Sequence, residues 1–155
     1  MYKTALKRII ISIILAATAL TMTAAAEYKD AEYVYPEVVF NGSFIRVEQP
    51  IYLDAKNNEL LVPVTPFFML FGFLPETFEY DESVASISAK TESGLSIRVF
   101  ANTSYYYVNS VHVPTLLHSR LIDGDLYVPL RLLTELVKAD LYYENGADFA
   151  EIVWN

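Results

Sequence analysis

The chain has 155 residues, with 11 Lys+Arg against 19 Asp+Glu, 2 His, no Cys and a formal net charge of −8. This length holds one domain with a real core, or two very small lobes, and not a large multidomain enzyme. The acidity argues against a nucleic-acid surface and against a polybasic grip on an anionic membrane. The lack of cysteine excludes disulfides, thiolate metal sites, Fe–S clusters and thiol nucleophiles together.

Residues 1–26 read as a secretory signal peptide. Lys3, Lys7 and Arg8 form a positive start, an apolar run follows over residues 9–20, broken only by Ser12 and Thr18, and the segment ends in Ala24-Ala25-Ala26. Small residues at that end are what a signal peptidase reads, so cleavage is expected after Ala26, with Glu27 first in the mature chain. The alternative is an uncleaved anchor. The uncharged stretch from 9 to 26 is 18 residues, its second half rich in Ala and Thr. That is the short, weak end of what spans a bilayer, so cleavage is the favoured reading. Without the segment, 8 basic and 19 acidic side chains remain, a net charge of −11. The expected location is secreted or envelope-associated, with no stable membrane insertion after cleavage.

Residues 27–37 (EYKDAEYVYPE) are polar, acidic and punctuated by Pro36, and read as a linker. Beyond them the chain matches itself. Glu59-Leu60-Leu61-Val62-Pro63-Val64 lies over Asp125-Leu126-Tyr127-Val128-Pro129-Leu130 at an offset of 66. Phe78-Glu79-Tyr80-Asp81 lies over Leu141-Tyr142-Tyr143-Glu144 at an offset of 63, the difference being the extra Leu74-Pro75-Glu76. Two internal repeats are therefore expected, residues 38–89 and 95–155.

The local signals, in chain order, begin with Asn41-Gly42, a tight-turn signature between strands at 38–40 and 44–47. Asn57-Asn58 and Asp123-Gly124 are turns ahead of the two Val-Pro stretches. Thr65-Pro66 is expected to cap and start a helix to about residue 71, stopped by Gly72. Strands are expected at 77–80, 84–89, 95–100 and 105–108, the last two pairing the halves into one cooperative unit. Pro129 opens a second helix to about Lys138, and a last strand covers 149–154. The helices should bury Phe67, Leu70, Phe71, Leu130, Leu133, Leu136 and Val137. Short antiparallel strands with two short helices make this an α+β fold, a small sheet or sheets curled around the helices.

Pro114, the stretch Asp123-Gly124-Asp125-Leu126-Tyr127-Val128-Pro129-Leu130-Arg131, Glu135 and the Leu141-Tyr142-Tyr143-Glu144 segment together resemble the copper amine oxidase N-terminal domain, or stalk domain, family. Val62-Pro63 marks the weaker first copy. Thr65 stands where that copy would have Arg, and Lys138 where the second would have a helix-ending Gly. The resemblance covers about residue 38 to the C-terminus. It implies a small antiparallel sheet curled around a helix, in an exported accessory module often found in cell-envelope proteins of Gram-positive-type bacteria. It does not imply amine oxidation, which belongs to a separate catalytic domain.

The residues themselves point to no catalysis. A copper site needs about three imidazoles, and only His112 and His118 exist, so no metal or other cofactor is expected. No G-x-S-x-G, H-E-x-x-H or Ser-x-x-Lys occurs, and a pair of carboxylates among 19 acids proves nothing. Asp123 and Asp125 around Gly124 read as a hairpin turn and not a Ca²⁺ loop. Arg131 and Glu135 share a helix face and can pair at the helix surface. Tyrosine is the unusual count, at 12. Tyr105 and Tyr107 share one strand face, Tyr106 takes the other, and Tyr142 and Tyr143 are split likewise. Such rings suit stacking on sugars or burial under a protein, beside the plainer role of covering a small sheet. The expected function is a non-catalytic module that binds or spaces at the cell envelope. Its partner would be an envelope protein or a cell-wall polymer, met by an aromatic surface around residues 105–107 and not by a cleft. A glycan-binding module is the second reading, and a small exported enzyme or enzyme inhibitor the third.

Overall fold

The computed structural model describes residues 31–34, 36–143 and 149–155. The signal segment 1–26 and Glu144 lie outside the described residues. The strands are β1 (Ala31–Val34), β2 (Glu37–Phe40), β3 (Ser43–Ile45), β4 (Ile51–Asp54), β5 (Glu59–Pro63), β6 (Glu79–Asp81) and β7 (Ser86–Lys90). They continue as β8 (Ser96–Phe100), β9 (Tyr105–Val108), β10 (Val111–Pro114), β11 (Arg120–Ile122), β12 (Asp125–Pro129), β13 (Asp140–Tyr142) and β14 (Phe149–Val153). Helix α1 is Val64–Leu70 and α2 is Leu130–Val137. Sheet 1 has the order β1-β4-β5-β12-β11, sheet 2 the order β10-β9-β8-β7-β6, and sheet 3 the order β13-β14-β2-β3. Mostly antiparallel sheets with two short helices agree with the α+β class.

Asn41 (φ 47°) and Gly42 (φ 76°) turn β2 into β3, and Asp123 (φ 51°) and Gly124 (φ 84°) turn β11 into β12. Two consecutive positive φ angles are the backbone of the tight hairpin turn that matches strand twist. Asn109 (φ 49°) and Ser110 (φ 65°) do the same between β9 and β10, without a glycine.

Strands β5 and β12, both ending in Val-Pro, run directly into a helix. Pro63 (φ −62°, ψ 129°) and Pro129 (φ −60°, ψ 126°) are the cap residues, and neither helix has a side-chain cap. Proline's fixed φ suits both a strand end and a helix entry, so no loop intervenes. Thr65-Pro66 therefore lies inside the first turn of α1 and does not cap it. The two helices end alike: Phe73 N–H donates to the Phe68 carbonyl (2.9 Å) and Ala139 N–H to the Thr134 carbonyl (2.8 Å). The residue that turns left-handed is Gly72 (φ 78°) in the first case and Lys138 (φ 59°) in the second. A side chain there is strained by about 1 kcal/mol. Lys138→Gly should thus raise the unfolding free energy by about 1 kcal/mol, read as a higher urea midpoint at unchanged m.

Three expectations on the strands need correction. Residues 31–34, read as part of a linker, form β1 and pair with β4 from Ala31↔Asp54 to Val34↔Ile51. Residues 77–80, read as a strand, begin instead with a 3-10 turn, Pro75–Thr77, and β6 follows it. The Thr77 hydroxyl donates to the Leu74 carbonyl (2.7 Å) and accepts from Lys90 N–H (2.8 Å), which holds this turn against β7. The pairing of 95–100 with 105–108, expected to join the two halves, exists as β8–β9 but lies wholly within the second half. Segments 38–89 and 95–155 meet instead through β5–β12, β7–β8 and β2–β14. In the first of these Val62 faces Val128, the residue 66 positions on.

The core is one cluster running from Val38 to Ile152, fed by both halves, with Phe67, Phe68, Phe71, Leu130, Leu132 and Leu133 from the helices. Of the residues expected inside, Leu70, Leu136 and Val137 are only partly buried against it. Phe68, not expected, is wholly buried, its ring 4.9 Å from Phe73 and 6.0 Å from Phe78. Alternation lets sheet 1 serve two cores: Leu60, Val62, Leu126 and Val128 face the main one, while Leu61 and Tyr127 join Ile122 on the reverse.

Sheet 3 is closed by β2 and β14, from segments far apart in the chain. β2 and β14 pair in parallel, from Phe149↔Glu37 to Ile152↔Phe40. Asn41 extends the clasp: its Nδ2 donates to the Trp154 carbonyl (2.8 Å), and its Oδ1 accepts from Trp154 N–H (2.7 Å). The Trp154 ring meets Phe40 (6.2 Å) and Phe71 (5.8 Å) edge-on.

Candidate binding surface

Sheet 2 turns one face to the core. Ile87, Ala89, Ile97 and Val99 are buried in it, and Tyr106 packs against them, partly buried. The strand period of two sends their neighbours outward. Register then aligns these outward residues across the strands. One row runs Glu79↔Ser88↔Arg98↔Tyr107↔His112 over all five strands. A second runs Asp81↔Ser86↔Phe100, continues in the contact of the Phe100 and Tyr105 rings (5.5 Å), and ends at Tyr105↔Pro114.

The face is divided in character. On its β8–β10 side four rings interlock. Tyr105 and His112 stack at 4.9 Å, Tyr107 meets Tyr105 and Phe100 edge-on at 5.9 Å each, and Tyr107 meets His112 at 5.6 Å. His112 is exposed, and Tyr105, Tyr107 and Phe100 are half-buried. On the β6–β7 side the groups are polar. Arg98 bridges the two sides: its Nη2 donates to Ser86 Oγ (3.0 Å) and lies 3.4 Å from Asp81 Oδ2, while its guanidinium sits 4.9 Å over the Phe100 ring. That cation–π stacking holds a flexible cation flat on the sheet. The Ser83 hydroxyl donates to Asp81 (2.6 Å) and, with Ser83 N–H and Arg98, lowers the Asp81 carboxyl below its usual range. Beside the rings opens a shallow cavity of about 660 Å³, lined among others by Glu79, Ser88, Lys90, Arg98, Phe100 and Tyr107.

Other tyrosines lie elsewhere. Tyr142 is exposed on β13 in sheet 3, and Tyr143 follows it, packed against the main core. Neither belongs to the sheet 2 cluster. A second cluster, which the sequence reading did not single out, sits on the reverse of sheet 1: Tyr52 lies 5.8 Å from Tyr33 and 5.2 Å from Tyr127. Its members come from three distant segments and leave no local pattern. Burial, then the neighbouring Tyr52, Asp125 and Asp123, push the Tyr127 hydroxyl up to about 12. The folded state thus keeps a proton that the unfolded chain loses near pH 10. The stability this group contributes is complete below pH 10 and is lost as pH rises towards 12. Tyr127→Phe should flatten the alkaline limb of a melting-temperature profile between those values.

The histidines occupy unlike settings. His112 is in the ring cluster of sheet 2. His118 precedes β11 of sheet 1, where burial, then the positive charge of Arg120, lower its pKa. Among the described residues, no three His, Cys, Asp or Glu side chains group closely enough to hold a metal ion, and no helix is long and apolar enough to cross a membrane. Arg131 and Glu135, placed on one helix face, do not form the ion pair found here: Arg131 Nε donates to Glu59 Oε1 (3.0 Å) and Oε2 (3.3 Å) instead. Glu59 lies on β5, one strand over from the Pro129 that starts α2, so the partner across the sheet is nearer in geometry than the one along the helix. The pair ties α2 to the other half of the chain. Glu135 is exposed. Val62, Pro63, Val128, Pro129 and Leu130 are all buried where the two strand-to-helix junctions meet.

No curated protein and no solved structure matches the chain. The family comparison does: residues 39–152 match the copper amine oxidase N-terminal domain. In that family this domain is a non-catalytic module. The matched span takes in every strand from β3 to β13, both helices and the whole outer face of sheet 2, and the chain therefore belongs to the copper amine oxidase N-terminal domain family.

Proposed function

We propose that this chain is an exported, non-catalytic, stalk-like module that binds or spaces at the cell envelope and meets its partner through the outer face of sheet 2. The observation that carries the reading is the interlocked Phe100, Tyr105, Tyr107 and His112 rings beside an open polar strip, on a sheet whose other face is packed. Aromatic side chains that are apolar on one part and polar at the tip suit a surface that is wet when free and covered when bound. The positive start, apolar run and Ala-rich end of residues 1–26 support export. The recurrence of strand, Val-Pro and helix at 59–70 and 125–136 supports a plan written twice in one chain.

The test is fractionation of the expressing cell. The mature protein should begin at Glu27 and sediment with isolated envelopes. Tyr105→Ala combined with Tyr107→Ala should release it while leaving its melting transition cooperative. Recovery of a chain beginning at Met1 in the membrane pellet would refute cleavage after Ala26, and unchanged retention of the double variant would refute the surface. Copper enters as a separate expectation. Two histidines in unlike settings should give only weak binding of added Cu²⁺ and no amine turnover. A stoichiometric site that survives dialysis and is lost in His112→Ala or His118→Ala would overturn it.

A further inference from the structure

Resting on the reading that this face is the binding surface, we infer that its ligand is an uncharged polysaccharide strand lying across β6 to β10, a sugar ring against Tyr107 and its hydroxyls on Ser88, Glu79 and Arg98. Size is the first argument. Five strands span about 19 Å, and the outward stretch of β8 about 14 Å, so the face covers roughly 270 Å² in plan. A stable protein partner covers about 800 Å² of accessible surface on each side, more than the relief of side chains adds to a face of this plan. A groove of this length suits an oligosaccharide segment instead.

Composition is the second argument. The centre of a protein interface is depleted of charge and rich in large apolar anchors. Here the central row runs Glu79, Ser88, Arg98, Tyr107, His112, three polar groups followed in the same line by two rings. That is the complement of a sugar chain, which offers a C–H face for stacking and hydroxyls at its rim that both donate and accept. Ser88 can do either, Glu79 accepts and Arg98 donates.

Charge is the third. The cavity wall carries Lys90 and Arg98 against Glu76 and Glu79, and Arg98 is already paired with Asp81. A balanced wall gives no reward to a polyanion such as a phosphate-bearing wall polymer, so binding should depend little on salt.

The experiment measures retention of the full mature chain on wall glycan strands stripped of peptide and of anionic polymer, the carboxylates freed by peptide removal being capped as amides, beside untreated envelopes. Binding to the stripped glycan should persist in ~0.5 M NaCl. It should fall about tenfold in Tyr107→Ala and several-fold in Ser88→Ala, losses of the size expected for one stacked ring and one hydrogen bond. If Tyr107→Ala melts without cooperativity, Tyr107→Leu keeps the apolar cover and removes the ring. Should stripped glycan fail to bind while envelopes still hold the chain through Tyr105 and Tyr107 and protease frees it, the ligand is a protein and the inference is wrong, though the surface stands. Loss of binding in salt would point to a polyanion and overturn it equally. Retention on envelopes that ignores both tyrosines removes the surface reading as well.

Discussion

Leu133→Ala should lower the unfolding free energy by about 2–5 kcal/mol, a large share of the 5–15 kcal/mol that holds a domain of this size. Leu133 is fully buried on α2, one turn beyond the junction with β12, in the same core cluster as Val62 and Val128. Phe67, Phe68 and Phe71 arrive at the same cluster from α1. A cavity opened there has rings on one side and strands on the other, and neither can slide in to fill it without breaking ladder bonds. Leu136→Ala, one turn on and only partly buried, should cost less than half as much. Urea unfolding followed by tryptophan fluorescence is the natural readout, because Trp154 packs on Phe71 of the other helix end. A loss below about 1 kcal/mol for Leu133 would mean that the helices do not share one core.

Separating the halves should abolish folding. Residues 38–90 expressed alone would keep β2 to β7 and α1, but would lose β12 beside β5, β8 beside β7 and β14 beside β2. Each of its sheets would gain a bare edge, and α1 would lose the apolar residues of α2. Residues 92–155 fare no better, since Arg131 loses Glu59 and Trp154 loses Asn41 and Phe71. Fragments of fifty to sixty residues without disulfide or metal are marginal even with a complete core. The expected result is two fragments without a cooperative melt that regain one when mixed. A sharp transition in either fragment alone would show two independent beads.

Much of this architecture is legible locally. Entry into the second helix at Pro129, the Asn41-Gly42 and Asp123-Gly124 hairpins and the split of Tyr105 and Tyr107 from Tyr106 follow from single-residue conformational rules and a period of two. What escapes is whatever depends on a distant partner. The acidic, proline-flanked AEYV of β1 looks like a linker until β4 offers it a ladder. Arg131 has a plausible partner four residues on, and finds a better one on another strand. On the candidate surface, the tyrosines declare themselves by alternation. Phe100, Arg98, Ser88 and Glu79 join them only through the register of three successive pairings, which no local window contains. The parallel β2–β14 pair, formed between segments more than a hundred residues apart, leaves no signal at all in the intervening chain.

That pair also fixes how the module behaves under tension. Glu37 sits opposite Phe149 and Phe40 opposite Ile152, so a pull entering at residue 37 and leaving at residue 155 drags the two strands lengthwise past each other. Their hydrogen bonds, with the Asn41–Trp154 pair behind them, are then loaded together in shear and must yield as a set, where an antiparallel hairpin pulled from its open end would unzip one bond at a time. Resistance of that kind is set by the rate of unfolding and not by its equilibrium free energy. A domain of ordinary stability, clasped this way between residues 37 and 155, would open slowly under a steady pull.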